Sequence, residues 1–205
     1  NCSLTSWLQA VPFRYRMRFT GELLETAALL SLSELMLGGC ATVADLHNLY
    51  YPGIGFDGAE IPFRAASQLG MRLVLCRAVA TRQRTMPDGS LDSMPLEHLH
   101  DALADVHRIA KTFHDGSARA RQRIVVATPM LTQSLDPGEL RELAAEARRL
   151  RLHLHSHLAE TPFDLQYCRD AHDAYPLEFA RSVGWTGPDS WYAHLTHITP
   201  EDIRI

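Results

Sequence analysis

Three histidines at alternate positions, followed closely by a glutamate, are the residues whose types and spacing best fit a chemical role. The segment HLHSHLAET would place His153, His155 and His157 on one face of a strand, with Glu160 three residues after the last of them. A neutral imidazole binds divalent metals well, and a neighbouring carboxylate can carry a proton from water to a leaving group. The pattern predicts a metal ligand at His157 and proton transfer by Glu160, whereas the two deeper histidines are expected to be structural.

A second histidine pair lies in the segment AHLTHI near the C-terminus. His194 falls close to the end of the next predicted strand, and His197 follows three residues later. Taken alone, the pair is most simply a pair of turn histidines. If the two strands are neighbours, however, His194 and His157 converge on one site, because parallel strands end at the same edge of a sheet.

Weaker candidates follow the earlier strands. Asp45 and His47 end the first strand, where loop capping is as good an interpretation as substrate contact. Arg77 and Arg82 come at and after the end of the second strand, and their planar donor groups could hold an anionic or carbonyl-rich ligand. Three residues after the third strand are expected to line the same pocket: Thr128, Pro129 and Thr132.

Helices and strands alternate along the whole chain, which indicates a parallel α/β sheet. A closed barrel and an open doubly wound sheet both fit five such strands, so the pattern leaves the two architectures open. The predicted strands cover residues 40–47, 71–80, 123–129, 152–160 and 190–198. The predicted helices cover residues 20–37, 61–69, 95–114, 136–150 and about 163–183, with a break near Pro176 in the last.

Composition excludes several classes of protein. Hydrophobic residues make up 46% and charged residues 21% of the 205 residues, as in soluble globular domains, and no apolar run approaches a membrane span. Basic residues form no stripe interleaved with aromatics, so a nucleic-acid polymer is not expected as a partner. The four cysteines (Cys2, Cys40, Cys76 and Cys168) form no CxxC pair and are expected to be reduced core residues of a cytoplasmic protein.

The motifs together resemble a known family. HSHLAET followed by WYAHLTHI resembles the amidohydrolase superfamily, and more narrowly its cytosine-deaminase-like and triazine-hydrolase group. ELMLGGCATVADLHNLYYP is similar to the segment that leads into the second barrel strand of that group. LEFARSVGWTGPDSWYAHLTHI resembles a segment of 8-oxoguanine deaminases and hydroxyatrazine ethylaminohydrolases. The likeness covers nearly the whole chain.

This resemblance implies that residues 1–205 form one incomplete domain, the interior part (about strands 2 to 6) of a (β/α)8 TIM-type metal-dependent hydrolase barrel. One divalent metal, zinc or iron, would be held by His157 and stabilised by His194. Glu160 would shuttle protons while ammonia or an amine leaves an 8-oxoguanine-like purine or a hydroxytriazine. Four other residues remain as candidates for substrate binding: Asp45, His47, Arg77 and His197. The resemblance is also compatible with a homodimer.

Two departures from the family pattern limit what this stretch is expected to do alone. The HxH pair of the first barrel strand would precede residue 1, and the aspartate of the last strand would follow residue 205. The stretch by itself is therefore expected to be inactive and poorly metallated. Two alternatives stay open from sequence: a catalytically inactive scaffold derived from a barrel, and an open-sheet α/β binding protein with structural histidines.

Overall fold

Five parallel strands form one sheet in which each strand pairs with the next along the chain. The computed structural model describes residues 3–93 and 95–204. A doubly wound sheet reverses its strand order at a switch point, whereas a barrel keeps the sequential order. The order β1-β2-β3-β4-β5 confirms the barrel interpretation, and the open-sheet alternative is wrong. The strands are β1 (Thr42–His47), β2 (Arg72–Ala78), β3 (Gln122–Thr128), β4 (His153–Leu158) and β5 (Ser190–His194).

Helices connect the strands, and local signals set where several of them begin. The Thr20 hydroxyl accepts the N–H of Leu23 (3.1 Å) at the start of α3, and the Glu139 carboxylate accepts the N–H of Asp136 (2.9 Å) at the start of α6. The helices are α1 (Leu4–Ala10), α2 (Pro12–Tyr15), α3 (Gly21–Leu37), α4 (Glu60–Leu69), α5 (Leu99–Phe113), α6 (Pro137–Arg149), α7 (Pro162–His172) and α8 (Pro176–Ser182). Single 3-10 turns cover Arg16–Arg18 and Asp202–Arg204.

Two helical predictions differ from the structure in an informative way. The sequence pattern predicts no helix before α3, yet α1 and α2 form there. The helix predicted from residue 95 begins only at Leu99. Its first residues are extended because the N–H of Glu97 bonds to the Ala80 carbonyl (3.0 Å) and its carboxylate bonds to Arg77. The predicted break near Pro176 is confirmed, since α7 ends at His172 and α8 begins at Pro176.

The main core lies between the sheet and the helices that cover one of its faces. Leu73, Leu75 and Trp185 are among the fully buried side chains of this layer. The opposite face carries a smaller cluster of short side chains: Cys76, Ala78, Val125 and Ala127. Side chains at odd and even positions of β2 therefore enter two different environments, which decides where its polar residues can act.

The cysteines that the structure describes are unpaired. Cys76 and Cys168 are buried, Cys40 is half-buried, and no disulfide joins them. This agrees with the expected reduced state, while Cys2 lies outside the described residues. Among the helices that the structure describes, none is both long and apolar enough to cross a membrane.

Candidate active site at the carboxyl ends of β4 and β5

His157 lies at the carboxyl end of β4, and one of its ring nitrogens is hydrogen-bonded to the backbone. Its Nδ1 is 2.8 Å from the carbonyl oxygen of Pro129, and because a carbonyl only accepts, Nδ1 must carry the proton. The lone pair of the neutral ring is then on Nε2. Burial is the main cause of the lowered pKa of His157. The lowered pKa keeps the ring neutral near pH 7. A neutral imidazole oriented by a carbonyl is the usual form of a metal-binding histidine.

Glu160 and His194 lie beside this ring. The rings of His157 and His194 have their centroids 4.9 Å apart, and His194 Nε2 lies 3.4 Å from Glu160 Oε1. The side chain of Glu160 is 17% exposed and that of His194 is 35% exposed, so both can be reached from solvent. The structure thus brings together the three residues to which the sequence assigns metal binding and proton transfer.

The backbone beyond both strands is bent to achieve this convergence. His194 pairs in register with Leu158, whose side chain faces the helices, so a regular strand would point His194 away from His157. Instead His194 has φ 75°, Leu195 φ 51° and Ala159 φ 50°, all in the left-handed region. Each such residue costs about 1 kcal/mol or more when it is not glycine.

Backbone bonds hold the two bent segments to each other. The N–H of Leu195 donates to the Leu158 carbonyl (3.0 Å), and the N–H of His197 donates to the Ala159 carbonyl (3.2 Å). The Thr196 hydroxyl adds bonds to the carbonyls of Ala159 (3.0 Å) and Glu160 (2.8 Å). These contacts offset the backbone strain and fix the positions of Glu160 and His194. The His197 side chain is exposed, and its backbone makes the contact described here.

Of the two deeper histidines of β4, His155 takes the structural position expected of it. His155 stacks on the Trp191 ring with a centroid distance of 3.8 Å, and its Nδ1 lies 3.1 Å from the Trp191 carbonyl oxygen. Burial lowers the pKa of His155 to about 4, so the ring is neutral. His153, at the start of the strand, is exposed.

Asp45, His47 and Arg77 are not brought to this site. The register pairs His47 with Arg77, and both share the helix-facing side with Leu75. Arg77 is 1% exposed and is engaged by the Glu97 carboxylate (2.5 and 2.7 Å) and by Asp105 (3.1 Å). Its donors therefore bind protein carboxylates behind the sheet, at positions remote in the fold from the strand ends that carry His157.

The neighbouring polar residues of these strands also bind within the protein. Asp45 Oδ2 lies 3.1 Å from His47 Nδ1, and the His47 ring meets the Tyr50 ring edge-on at 5.4 Å between centroids. Arg82 is exposed and pairs with Asp136 at the start of α6 (2.6 Å). These contacts give Asp45, His47 and Arg82 partners within the chain, while the buried His47 Nε2 makes no hydrogen bond to a described residue.

A cavity of about 520 Å³ opens next to Glu160. Its walls include Arg84, Met130 and Gln133, which sequence reasoning did not select, together with residues of α1. Of the three pocket residues that the sequence suggested, Thr128 and Thr132 are buried and Pro129 contributes its carbonyl oxygen to His157. The available signal was weak: Arg84 is the second basic residue in the loop after β2, in TRQR.

The donor set is of the right chemical type for a divalent metal but is incomplete. Zinc sites that do chemistry take three protein ligands and leave one position open. His157 offers Nε2 and His194 offers its ring, with the Glu160 carboxylate beside them. Within residues 3–93 and 95–204, no group of three or more His, Cys, Asp or Glu side chains is arranged to hold a metal ion.

Comparison with known proteins gives one family and a consistent set of relatives. A family model described as "Amidohydrolase family" matches residues 2–205. The chain is 41% identical over 208 residues to an isoxanthopterin deaminase from an unknown prokaryotic organism, and it covers 42% of that protein. It is 34% identical to the 8-oxoguanine deaminase of Pseudomonas aeruginosa and spans 44% of it. A hydroxydechloroatrazine ethylaminohydrolase from Pseudomonas sp. (strain ADP) is 32% identical over 86% of the chain.

Solved structures agree with this assignment. An amidohydrolase from an environmental sample of the Sargasso Sea superposes with a TM-score of 0.79 at 39% identity, over 92% of this chain and 42% of that one. An atrazine chlorohydrolase from Arthrobacter aurescens, solved with zinc, superposes with a TM-score of 0.86 at 24% identity, which supports the fold alone. It is matched over 99% of this chain and 45% of its own length. The chain therefore spans less than half the length of these relatives.

Proposed function

Because the chain belongs to the amidohydrolase family, we propose that it forms part of a hydrolase that removes an amino group from a nitrogen heterocycle. The main support is the convergence of His157, Glu160 and His194 at the carboxyl ends of β4 and β5. Relatives named for isoxanthopterin, 8-oxoguanine and hydroxydechloroatrazine share a substrate type, a planar ring with an amino group on a carbon beside ring nitrogens. An 8-oxoguanine-like purine or a hydroxytriazine is the proposed substrate class.

The proposed reaction adds water across the amidine-like carbon of the ring and expels the amine. Glu160 accepts a proton from the water molecule as its oxygen bonds to the ring carbon. The carboxyl group passes that proton to the ring nitrogen as the ring C=N bond opens. The carboxylate then takes the remaining proton of the new hydroxyl group and delivers it to the amino nitrogen, the C–N bond breaks, and ammonia or an amine leaves a ring carbonyl behind. His194, 3.4 Å from Glu160, holds that carboxylate in place and keeps a hydrogen-bond donor close to the attacking oxygen.

His157 Nε2 and the His194 ring would supply part of the ligand set of one divalent metal, with zinc preferred and iron as the other candidate. When bound, such an ion lowers the pKa of water to about 7 and so makes a nucleophile available at neutral pH. The Pro129 carbonyl fixes the His157 ring in the orientation that a ligand needs. The remaining ligands would have to come from outside the residues that the structure describes.

One observation favours a second candidate function. The described residues provide no group of three metal-ligating side chains. A barrel-derived protein that binds a heterocycle in the cavity beside Glu160 without hydrolysing it would need no more than these residues.

Ammonia release from 8-oxoguanine and from a hydroxytriazine tests the proposal, with bound metal measured by elemental analysis on the same sample. The polypeptide should be expressed from the complete reading frame that carries these 205 residues. Glu160→Gln should lower kcat by about 10²- to 10⁴-fold, because it removes the group that carries the proton. Glu142→Gln, on the exposed side of α6, is the matched control and should leave kcat unchanged.

The two candidates give different results in this experiment. If Glu160→Gln releases ammonia as fast as Glu142→Gln, the proton-transfer role is wrong. Heterocycle binding by a protein without stoichiometric metal and without ammonia release would favour the non-hydrolytic candidate.

A further inference from the structure

Two arginines have N–H donors without partners: Arg16, which is buried, and Arg84, which is half-buried and lines the cavity. Arg16 is 9% exposed, yet its Nε and Nη2 make no hydrogen bond to any described residue. The Nε of Arg84, whose side chain is 15% exposed, also makes no hydrogen bond to a described residue. Buried polar groups are almost always satisfied, since leaving a charged donor unpaired is costly. A concentration of unpaired guanidinium N–H groups in one region therefore points to a missing acceptor.

The carboxylate of Asp92 lies near both arginines. Arg84 and Asp92 are held side by side by backbone bonds, with the Asp92 N–H donating to the Arg84 carbonyl (2.9 Å). The Asp92 carboxylate lies 3.9 Å from Arg84 Nε, beyond hydrogen-bond distance. Arg16 is close enough that Asp92 raises its pKa and Arg84 lowers it, after the larger lowering caused by burial. Two guanidinium groups thus share one nearby carboxylate.

Arg77 shows what a fully neutralised arginine looks like in this fold. Its guanidinium meets both oxygens of Glu97 and one of Asp105 at hydrogen-bond distances, and it also donates to the Ala78 carbonyl (3.1 Å). Arg84 has no comparable set of carboxylates among the described residues, and its side chain lines the cavity that also contains Glu160. Arg84 therefore brings an unsatisfied N–H group to the wall of a cavity whose other charged lining residues are the carboxylates Asp88, Glu160 and Asp164.

We propose that Arg84 is a specificity-determining residue that binds an electron-rich exocyclic oxygen of the heterocycle, and that Arg16 reinforces it with positive charge from behind. The ligand class is a planar nitrogen heterocycle that carries an oxo group or its ionised form. A guanidinium donates to such an oxygen strongly, because both its charge and its planar fork match the acceptor. The inference rests on the proposed function, since it assigns the oxygen-binding side of the same cavity.

Gln133 fixes the backbone next to Arg84. Its side-chain oxygen accepts the N–H of Thr85 (2.9 Å), which fixes the amide in the cavity wall next to the Arg84 loop. The cavity is thus bordered by donors from Arg84 on one element and by the Glu160 carboxylate on another. A flat ring bound between them would present its oxygen to Arg84 and its amino-bearing carbon to Glu160.

A pair of purines that differ in their oxo groups tests the assignment. 2-Aminopurine keeps the amino-bearing ring carbon but lacks both oxo groups of 8-oxoguanine. The fluorescence of 2-aminopurine gives its Kd directly, and displacement gives the Kd of 8-oxoguanine. The wild-type chain should bind 8-oxoguanine about tenfold or more tightly than 2-aminopurine, as expected for a charged hydrogen bond.

Substitutions then identify the residue that causes the tighter binding of 8-oxoguanine. Arg84→Gln and Arg84→Met should each reduce the preference to less than about threefold while leaving the Kd of 2-aminopurine nearly unchanged. Arg16→Gln should reduce it in part. Arg82→Gln is the matched control, because Arg82 lies two residues away on the same loop and pairs with Asp136. Two Arg84 variants are used so that a folding defect in one, detected by circular dichroism, does not decide the outcome.

Three results would overturn the inference: equal binding of the two purines by the wild type, a preference that survives in both Arg84 variants, or no binding of either purine. The proposed function fails in a different way. Selective, Arg84-dependent binding of 8-oxoguanine without ammonia release would refute the hydrolase and keep the oxygen-binding residue.

Discussion

Replacing Glu97 by glutamine should destabilise the fold by about 2–4 kcal/mol. Arg77 is 1% exposed and donates to both oxygens of Glu97 (2.5 and 2.7 Å). Breaking a buried ion pair by removing one partner costs about 3–5 kcal/mol. Part of that cost is recovered here, since the amide oxygen of the variant still accepts one bond and Asp105 remains 3.1 Å away.

Urea denaturation measures the loss, and thermal unfolding should show it as a fall in Tm of about 4–16 °C. Glu60→Gln is the control, because Glu60 also meets an arginine, Arg64, at 3.0 Å but is 57% exposed. An exposed pair of this kind contributes less than about 1 kcal/mol. If Glu97→Gln is no less stable than Glu60→Gln, the buried ion pair between Arg77 and Glu97 does not stabilise the fold, and the prediction is refuted.

Two further predictions concern backbone strain and acid sensitivity. His194→Gly should be more stable than His194→Ala by about 1 kcal/mol in urea denaturation, because His194 has φ 75° and glycine adopts that conformation without cost; equal stabilities would mean that the strain is not stored there. Hydrogen bonding from Arg149, followed by His107, lowers the pKa of Glu146 to about 2. The small stability that Glu146 contributes, less than about 1 kcal/mol, is therefore present above its unfolded pKa of about 4.3 and is lost as pH falls toward 2. Glu146→Gln should make the free energy of unfolding less dependent on pH over that interval. If the variant loses stability between about pH 4.3 and about pH 2 as the wild type does, the hydrogen bonds of Glu146 to Arg149 and His107 do not stabilise the fold.

The convergence of His157, Glu160 and His194 could be predicted from sequence because each of these residues lies at or just after the end of a predicted strand. In a parallel sheet the strand ends lie at one edge, so a residue at the end of β4 and one at the end of β5 are neighbours if the strands are. The spacing from His157 to Glu160 keeps the carboxylate at that edge. What the sequence did not predict is the left-handed backbone at His194, by which the ring leaves the side of the sheet that its register position implies.

The arginine assignments could not be made from sequence for a physical reason. Both faces of a barrel strand are buried, so the alternation along β2 does not distinguish the helix-facing row that contains Arg77 from the opposite row. Arg84 lies in a long loop whose path is set by contacts with distant residues such as Gln133. The choice between an open sheet and a barrel likewise depended on strand order, which no local pattern encodes.

The sequential order of the strands also affects how the chain can fold. Every strand pairs with the strand that is synthesised just before or just after it, so no pairing has to wait for a distant part of the chain. The paired residues are 28 to 49 positions apart, so each pairing closes a shorter loop than a pairing of β1 with β5 would. On the ribosome, β1 and β2 could pair as soon as β2 emerged, before the strands that carry His157 and His194 had been made. The strand ends that carry His157 and His194 would then be added to a pair of strands that already exists.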